Sequence, residues 1–368
     1  MSQFAGDVSK RLYSLDVFRG LTMFLLIAEG AGFHHNFYEL VKDNAFLEPI
    51  ALQLHHHPWH GLRFWDLIQP FFMFIVGVAM PFSLRKRLAT GSRQQVTRHI
   101  VKRCFLLFAF GVLLHCVYAH ALVWELWNVL VQLAFTILIA YAIMNLPHKY
   151  QILISAGLLL LTELLYRLYN PQDPFNEGHS IGSYMDMVFM GKINDGGWVT
   201  INFIPTAAHT IWGVVCGQIL LSAKTGMEKV KTFLLWGIVL LVLGFGMDLL
   251  GITPIIKRIA TSSFTLASGG FALLALAFSY WYIDVKDHQK KWMRVFSVVG
   301  TNSIFIYLFS ETVGHQWFTG FGKIFTEGLL KPLNVPEDII LVINALFVLY
   351  MFWYLTYFLD KKKVYFKI

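Results

Sequence analysis

The chain has 368 residues, of which 56% are hydrophobic and only 14% are charged, and its mean hydropathy is +0.56. An ordinary soluble domain, in which about a quarter of the residues are charged, is excluded by these values. The formal net charge of +8 does not require nucleic acid as a partner, because lysines and arginines beside membrane helices commonly orient those helices next to anionic lipid. We therefore predict a polytopic membrane protein that contacts the lipid bilayer.

The apolar residues occur in blocks of about 18–22 residues that are separated by short polar pieces, and a helix of about that length crosses a bilayer. We predict an all-α fold, a membrane bundle of about ten transmembrane helices that forms one domain over residues 1–368. The predicted spans, in chain order, are 15–33, 65–84, 104–121, 125–146, 150–168, 199–222, 232–250, 263–283, 298–318 and 338–359.

The basic residues predict which ends of these helices face the cytoplasm. With the N-terminus inside, the inner segments contain 22 of the 30 lysines and arginines, as the positive-inside rule requires, so both termini are expected to be cytoplasmic. The N-terminus is polar and has no small-residue cleavage site, so we expect no cleaved signal peptide. The resulting segments are the cytoplasmic N-terminus 1–14, the outer loop 34–62, the basic cytoplasmic loop 84–103, the outer loop 169–198 and the basic cytoplasmic tail 360–368.

Three ionisable residues lie in the first predicted helix, where each is costly unless it has a partner or a task. Asp16 and Arg19 are three residues apart and can pair on one helix face. The pair either anchors the helix at the headgroups or lets Arg19 meet a ligand phosphate, for which the guanidinium fork is well suited. Glu29 lies near the outer end of the helix, just before Gly30, and indicates a polar cavity.

Four histidines in residues 55–60 precede Asp66, which opens the second span. Three interpretations are open. His56 and His60 could bind a metal, but Pro58 interrupts a helix there and no metal-binding pattern is present. The histidines could belong to an interfacial aromatic belt. A catalytic histidine oriented by the carboxylate is the third interpretation, and it suits proton chemistry near neutral pH.

Other polar residues interrupt later spans. His209 lies in the sixth span, and Asn302, Tyr307 and Glu311 lie in the ninth. Each could simply form interhelical hydrogen bonds, but together they indicate a solvated pathway through the bundle. The three cysteines are scattered and odd in number, so we predict neither a disulfide framework nor a metal site.

Two blocks of sequence resemble a known family. Residues 11–20, R-L-Y-S-L-D-V-F-R-G, resemble the opening L-D-x-x-R-G signature of transmembrane acyltransferases. Residues 56–62, H-H-P-W-H-G-L, and 66–77, D-L-I-Q-P-F-F-M-F-I-V-G, resemble the conserved block of the heparan-α-glucosaminide N-acetyltransferase-like family and its bacterial members. Residues 203–217 and 300–307 are similar to later segments of that family, so the resemblance extends over the whole chain.

The resemblance implies an acyltransferase in the bacterial inner membrane. It would take acetyl from cytoplasmic acetyl-CoA and deliver it to a sugar or glycan acceptor, at an amine or a hydroxyl, on the periplasmic side. By position, His56 is the catalytic histidine and Asp66 its acid. Glu29 stands where the family has asparagine, and Leu130-Val131-Gln132 stands where it has L-Q-R.

The predicted site residues fall into three groups. The catalytic group is His56, Asp66 and Glu29; the residues expected to hold the acetyl-CoA head are Arg19, Arg85, Arg98 and Arg103; and the residues expected at the acceptor are His57, Trp59, His60, His209 and Asn302. His56 would either act as a general base or become transiently acetylated. The acceptor's identity, N- versus O-acetylation and a homodimeric state all stay open.

The main alternative is a proton-coupled sugar or sugar-acid transporter, in which Glu29, His56 and Asp66 would form a proton relay. Consumption of the thioester favours the enzyme, and uptake of substrate without acetyl-CoA favours the carrier. A non-catalytic membrane assembly or sensor subunit would leave the acids within the membrane unexplained.

Overall fold

The computed structural model describes residues 12–366, and within them the fold is all-α, as predicted, with no β-strand. The helices are α1 Tyr13–Gly30, α2 Phe33–Val41, α3 Glu48–Leu52, α4 Ile68–Leu88, α5 Arg93–Ala119, α6 Val129–Ile143, α7 His148–Tyr169, α8 Ile181–Met190, α9 Phe203–Leu220, α10 Gly226–Leu249, α11 Ser262–Ser279, α12 Arg294–Thr301, α13 Ser303–Phe309, α14 Thr319–Leu330 and α15 Glu337–Lys361. Short helices α2, α3, α8 and α14 occupy the longer connections.

Fewer helices than the predicted ten are long and apolar enough to cross a membrane. Among the described residues, seven helices meet both conditions, and an eighth is counted if the bent pair Lys291–Thr301 and Ser303–Gly314 forms one span. The predicted first span corresponds to α1, which carries three ionisable residues in 18. The predicted fourth span corresponds to α6, whose 15 residues extend only about 22 Å, short of the usual hydrocarbon thickness.

The long helices alternate in direction, so their ends form two faces. The end that carries the loops 53–63 and 250–261 is here called the histidine face, and the end that carries residues 85–103 and 286–294 is called the arginine face. Contacts join the connections within each face: on the histidine face Trp59 Nε1 donates to the carbonyl of Phe175 at 3.2 Å. The predicted segments 34–62 and 169–198 lie on the histidine face, and 84–103 lies on the arginine face.

The two terminal segments belong to the arginine face as far as they are described. Residues 1–11 of the predicted N-terminal segment and residues 367–368 of the predicted tail lie outside the described residues. The assignment of the arginine face to the cytoplasm stays a prediction, since the structure contains no membrane.

Helices α4 and α9 form the centre of the bundle. Of the apolar window of Thr200–Leu220, 78% is buried, compared with 22% in His148–Tyr169, so α9 is internal while α7 lies at the periphery of the bundle. The α4 and α9 backbones approach closely at three glycines. A Cβ on Gly77 would lie 2.2 Å from the carbonyl oxygen of Thr210, and Cβ atoms on Gly213 and Gly217 would lie 2.2 Å and 2.3 Å from carbonyl oxygens of α4. Small residues at membrane helix crossings allow this close packing.

Helix α1 packs in the same way against α12. A Cβ on Gly20 would lie 1.9 Å from the carbonyl oxygen of Phe296, so only glycine fits next to Arg19 at this crossing. On the arginine face, helix α5 begins with a capping box in which the Ser92 side chain accepts the N–H of Gln95 and the Gln95 side chain accepts that of Ser92. These contacts fix the helix ends that carry the arginines.

The ninth predicted span is broken at Asn302, where its two halves meet at 73°. The buried Asn302 amide holds the segment after α15, because its Nδ2 donates to the carbonyl of Val364 at 3.0 Å and its Oδ1 accepts the N–H of Phe366 at 2.9 Å. The ring of Phe366 stacks on Phe305 with centroids 4.5 Å apart. The chain therefore returns to the bundle after its last helix.

Candidate functional site

The carboxylate of Asp66 is buried at the start of the second span and accepts hydrogen bonds at both oxygens. Its Oδ2 accepts the backbone N–H of Arg63 at 2.9 Å and that of His57 at 3.2 Å, and its Oδ1 lies 2.9 Å from Nδ1 of His56. Residues 56–63 therefore wrap around the carboxylate, and the turn brings together two side chains that are ten positions apart. Only 1% of the Asp66 side chain is exposed.

Lys257 completes this cluster from the loop 250–261. Its Nζ lies 3.0 Å from Nδ1 of His56 and 3.7 Å from Oδ1 of Asp66. The same ammonium lies 5.4 Å from the ring centroid of Trp198, within the range of a cation–π contact. Lys257 was not among the predicted site residues, since no motif marks it.

The two loops that supply His56 and Lys257 are tied together on the histidine face. The N–H of Gly61 donates to the carbonyl of Ile255 at 2.8 Å. His60 Nε2 lies 2.7 Å from Oδ1 of Asp248, which also accepts the N–H of Ile255 at 2.8 Å. Asp248 at the end of α10 thus positions both loops.

The charges around His56 favour its neutral form. Burial, followed by the ammonium of Lys257, lowers the pKa of His56 to about 4, against the opposing influence of Asp66. Burial lowers the pKa of Lys257 to about 8, although Asp66 raises it. Near pH 7 the imidazole is therefore neutral while the lysine is mostly charged. The carboxylate of Asp66 can only accept and the ammonium of Lys257 can only donate, and both lie next to Nδ1. We assign the ring proton to Nδ1, which donates it to Asp66, so that the ammonium donates to Asp66 and not to the ring, and Nε2 is unprotonated.

His56 lines a cavity, here called the histidine cavity, that encloses about 980 Å³ including its opening to solvent. About a third of the side chain, 34%, remains exposed there. Glu29 lines the same cavity, and Trp65 Nε1 donates to its Oε1 at 3.2 Å. The cavity wall is rich in indole rings, contributed by Trp65, Trp127 and Trp198. Two of the three predicted catalytic residues, Glu29 and His56, thus line one cavity, and the buried Asp66 contacts His56 without lining it.

A chain of amide side chains forms another part of this wall. Gln69 donates to Gln132, Gln132 donates to Asn202, and Asn202 Nδ2 donates to the carbonyl of Arg258 at 3.3 Å. The chain connects α4 and α6 with the residues just before α9, and it ends at the neighbour of Lys257. Gln132, which departs from the family pattern, therefore belongs to the cavity as a hydrogen-bonding group.

A second cavity, here called the arginine cavity, opens on the arginine face and encloses about 1370 Å³ including open solvent. Arg19, Arg87, Arg103 and His99 line it, and none of the described residues that line it is acidic. The Nε of Arg103 is buried and finds no hydrogen-bond partner within residues 12–366. Arg19 lies 3.9 Å from the carboxylate of Asp16. The lining offers a concentrated positive charge for an anion.

The two cavities meet inside the bundle. Phe72, Leu130 and Ile304 line both of them, so these three side chains form the wall between a cationic cavity and the cavity that contains His56. A ligand that occupied both cavities would need a charged head and an arm thin enough to pass this wall.

The other predicted site residues have different positions. Arg85 and Arg98 do not line the arginine cavity, whereas Arg87, which was not predicted, does. His209 is fully buried, with Nε2 2.9 Å from Ser268 Oγ. Neither it nor Asn302, which binds the C-terminal segment, lines the two cavities.

His57, Trp59 and His60 help to build the loop around Asp66, and their predicted contact with an acceptor stays a prediction. Among the described residues, no group of three or more His, Cys, Asp or Glu side chains is placed to hold a metal ion. The roles predicted for individual site residues are not tested by these positions.

Three matches show which known proteins the chain is similar to. A family profile described as "Domain of unknown function (DUF5009)" matches residues 11–154. Heparan-alpha-glucosaminide N-acetyltransferase from Homo sapiens is 25% identical over 434 aligned positions, which cover 97% of this chain and 60% of that protein. The protein of the same name from Mus musculus is 31% identical over 107 residues, or 29% of this chain and 14% of that protein.

These similarities indicate a distant relation to that family. The chain spans less than two thirds of the length of either relative. The resemblance predicted from the motifs is therefore supported as a distant relation, and what the relatives act on is a statement about those proteins.

The connection between the two loops can be tested through Asp248. Replacing it by alanine removes the acceptor of two hydrogen bonds, and bonds to charged groups contribute about 1.5–3 kcal/mol each. We expect amide hydrogen exchange measured by mass spectrometry to become roughly tenfold faster or more in residues 57–61 and 253–257 together. Asp43→Ala, at an exposed position, is the control. Faster exchange in one loop alone would contradict the coupling.

Proposed function

We propose that this chain is a transmembrane acetyltransferase that moves acetyl from acetyl-CoA to a sugar amine or hydroxyl. The observation that carries the proposal is the meeting of two chemically different cavities at one wall, one cationic and one containing the His56–Asp66 pair. The distant relation to an N-acetyltransferase supports the same reaction.

The donor fits the arginine cavity by charge. The phosphates of coenzyme A are anions, and guanidinium groups bind phosphate through paired donors. Arg103 has a buried donor nitrogen without a partner among the described residues, so an anion there would remove the cost of that unsatisfied group. The slender arm that carries the acetyl thioester would then extend past Phe72, Leu130 and Ile304 toward His56.

The transfer step follows from the orientation of His56. With Nδ1–H directed at Asp66, Nε2 accepts the proton of the acceptor amine or hydroxyl while the acceptor's lone pair attacks the thioester carbonyl carbon. The carbon–sulfur bond breaks, the sulfur leaves as a thiolate, and His56 returns the proton to it. The products are the acetylated acceptor and free coenzyme A, and the histidine ends in its starting form.

The acceptor would occupy the histidine cavity. Indole rings at Trp127 and Trp198 offer flat apolar surfaces for a sugar ring, and Glu29 offers a hydrogen-bond acceptor. The excess of basic residues at the other end favours a cytoplasmic arginine face. The acceptor would thus arrive from the periplasm of a bacterial inner membrane and the donor from the cytoplasm.

His56→Ala and Asp66→Asn should each reduce acetyl transfer from labelled acetyl-CoA by about 10²–10⁴-fold, the usual contribution of general acid–base catalysis. The measurement is labelled product formed by purified protein with a panel of amino sugars and neutral sugars. His35→Ala and Asp43→Asn change exposed residues and serve as controls. Full transfer by both site variants would contradict the assignment, and acceptor uptake into liposomes without acetyl-CoA would favour the transporter.

Arg103→Met should weaken binding of coenzyme A by about 10- to 100-fold, because a hydrogen bond to a charged group contributes about 1.5–3 kcal/mol. Isothermal titration calorimetry in detergent measures the affinity directly. The matched control is Arg93→Met, since Arg93 is exposed and does not line the arginine cavity. Equal affinities in the two variants would place the coenzyme elsewhere.

A further inference from the structure

Lys257 is a buried cation whose neighbours offset only part of its desolvation cost. Only 7% of its side chain is exposed, and a buried charge carries a desolvation cost that a partner must offset. Asp66 is the oppositely charged partner at 3.7 Å, yet Nζ lies closer, at 3.0 Å, to the ring nitrogen of His56. An ion pair with Asp66 does not by itself account for this short distance between the ammonium and the imidazole.

Charged and titratable groups face His56 from every neighbouring element. They are Asp66 at the start of the second span, Lys257 and Arg258 from the loop 250–261, Arg63 and His57 from its own loop, His34 from α2, and Glu29 from α1 in the same cavity. Of these cations, Lys257 contacts the imidazole ring, with Nζ 3.0 Å from Nδ1. Protonation of the imidazole would therefore place a second positive charge 3.0 Å from the ammonium of Lys257.

We propose that Lys257 is a positioning residue that keeps the imidazole of His56 neutral. Asp66 fixes the ring and holds the Nδ1 proton, while Lys257 opposes the imidazolium that a carboxylate alone would stabilise. The unshared pair on Nε2 stays available in the cavity. Where the inference concerns acetyl transfer, it rests on the proposed function. The imidazolium that forms when Nε2 takes a proton from the acceptor is destabilised by Lys257, so this proton passes readily to the departing thiolate sulfur.

The test reads the protonation of His56 directly and needs no enzymatic activity. Diethyl pyrocarbonate modifies a histidine ring only in its neutral form, and peptide mass spectrometry measures the rate of this modification at His56 from pH 5 to pH 7.5. In the unaltered protein the rate at His56, corrected for the reagent's own pH dependence, should be flat over this range, since the pKa of His56 is about 4. In Lys257→Met the rate should fall by roughly twofold or more between pH 7.5 and pH 5, because loss of the ammonium raises the pKa of His56 while burial, the largest cause of its low pKa, remains.

Matched variants separate charge from structure. Lys257→Arg keeps the cation, so the modification rate at His56 should stay independent of pH. Lys257→Gln removes the charge but retains a polar group, so the rate should fall toward pH 5 as it does in Lys257→Met. Lys192→Met removes a lysine that pairs with Glu125, and the modification rate at His56 should stay independent of pH in this variant. Each variant is first shown to be monodisperse in detergent, and Lys257→Gln serves if Lys257→Met does not fold.

A pH-dependent rate in the unaltered protein, or flat profiles in both neutral variants, would overturn the inference. These results are distinct from a failure of the proposed function. If the modification rates follow the expected pattern while the purified protein transfers no acetyl, Lys257 still controls His56 and the reaction assignment is the part that fails.

Discussion

The structure of the site depends on one buried carboxylate. Asp66 lies inside the bundle with 1% of its side chain exposed, and a buried charge is tolerated only where donors and opposite charge surround it. The chain meets this requirement by turning two backbone N–H groups, the ring of His56 and the ammonium of Lys257 toward it. The two loops of the histidine face make these contacts, and they turn the Nδ1 edge of His56 toward Asp66.

A second constraint comes from the tightly packed centre. Gly77 and Gly213 let the backbones of α4 and α9 come into contact. The unfilled volume of the bundle therefore lies beside this crossing, between α4, α6 and the break at Asn302. The histidine and arginine cavities occupy that room and share the wall formed by Phe72, Leu130 and Ile304. Transfer across the membrane would then need only an arm that reaches through the wall, with neither substrate crossing completely.

The sequence predicted what depends on local pattern. Apolar blocks predicted the all-α bundle, and the resemblance to a known family implied that His56 and Asp66 belong to one site. The count of ten spans was too high by the criteria of length and composition, because α1 carries three ionisable groups and α6 is short. Their positions in chain order still match the predicted first and fourth spans.

Contacts between distant loops could not be predicted, because helical periodicity contains no information on which loops meet. Lys257 and Arg258 were counted simply as basic residues on the outer side. Two adjacent cations on the face that is otherwise poor in lysine and arginine were the available signal. Arg87 was missed for the opposite reason, since it is one of many basic residues in 84–103 and only the fold shows which of them turn inward.

In the proposed reaction, donor and acceptor enter from opposite faces and react at the shared wall. Vesicles of known orientation distinguish the two sides, with acetyl-labelled acetyl-CoA supplied on one side and a membrane-impermeant amino sugar on the other. We expect labelled product only when the donor is on the side of the arginine face and the sugar is on the side of the histidine face. Product formed with both substrates on one side, or accumulation of unmodified sugar across the membrane, would contradict it.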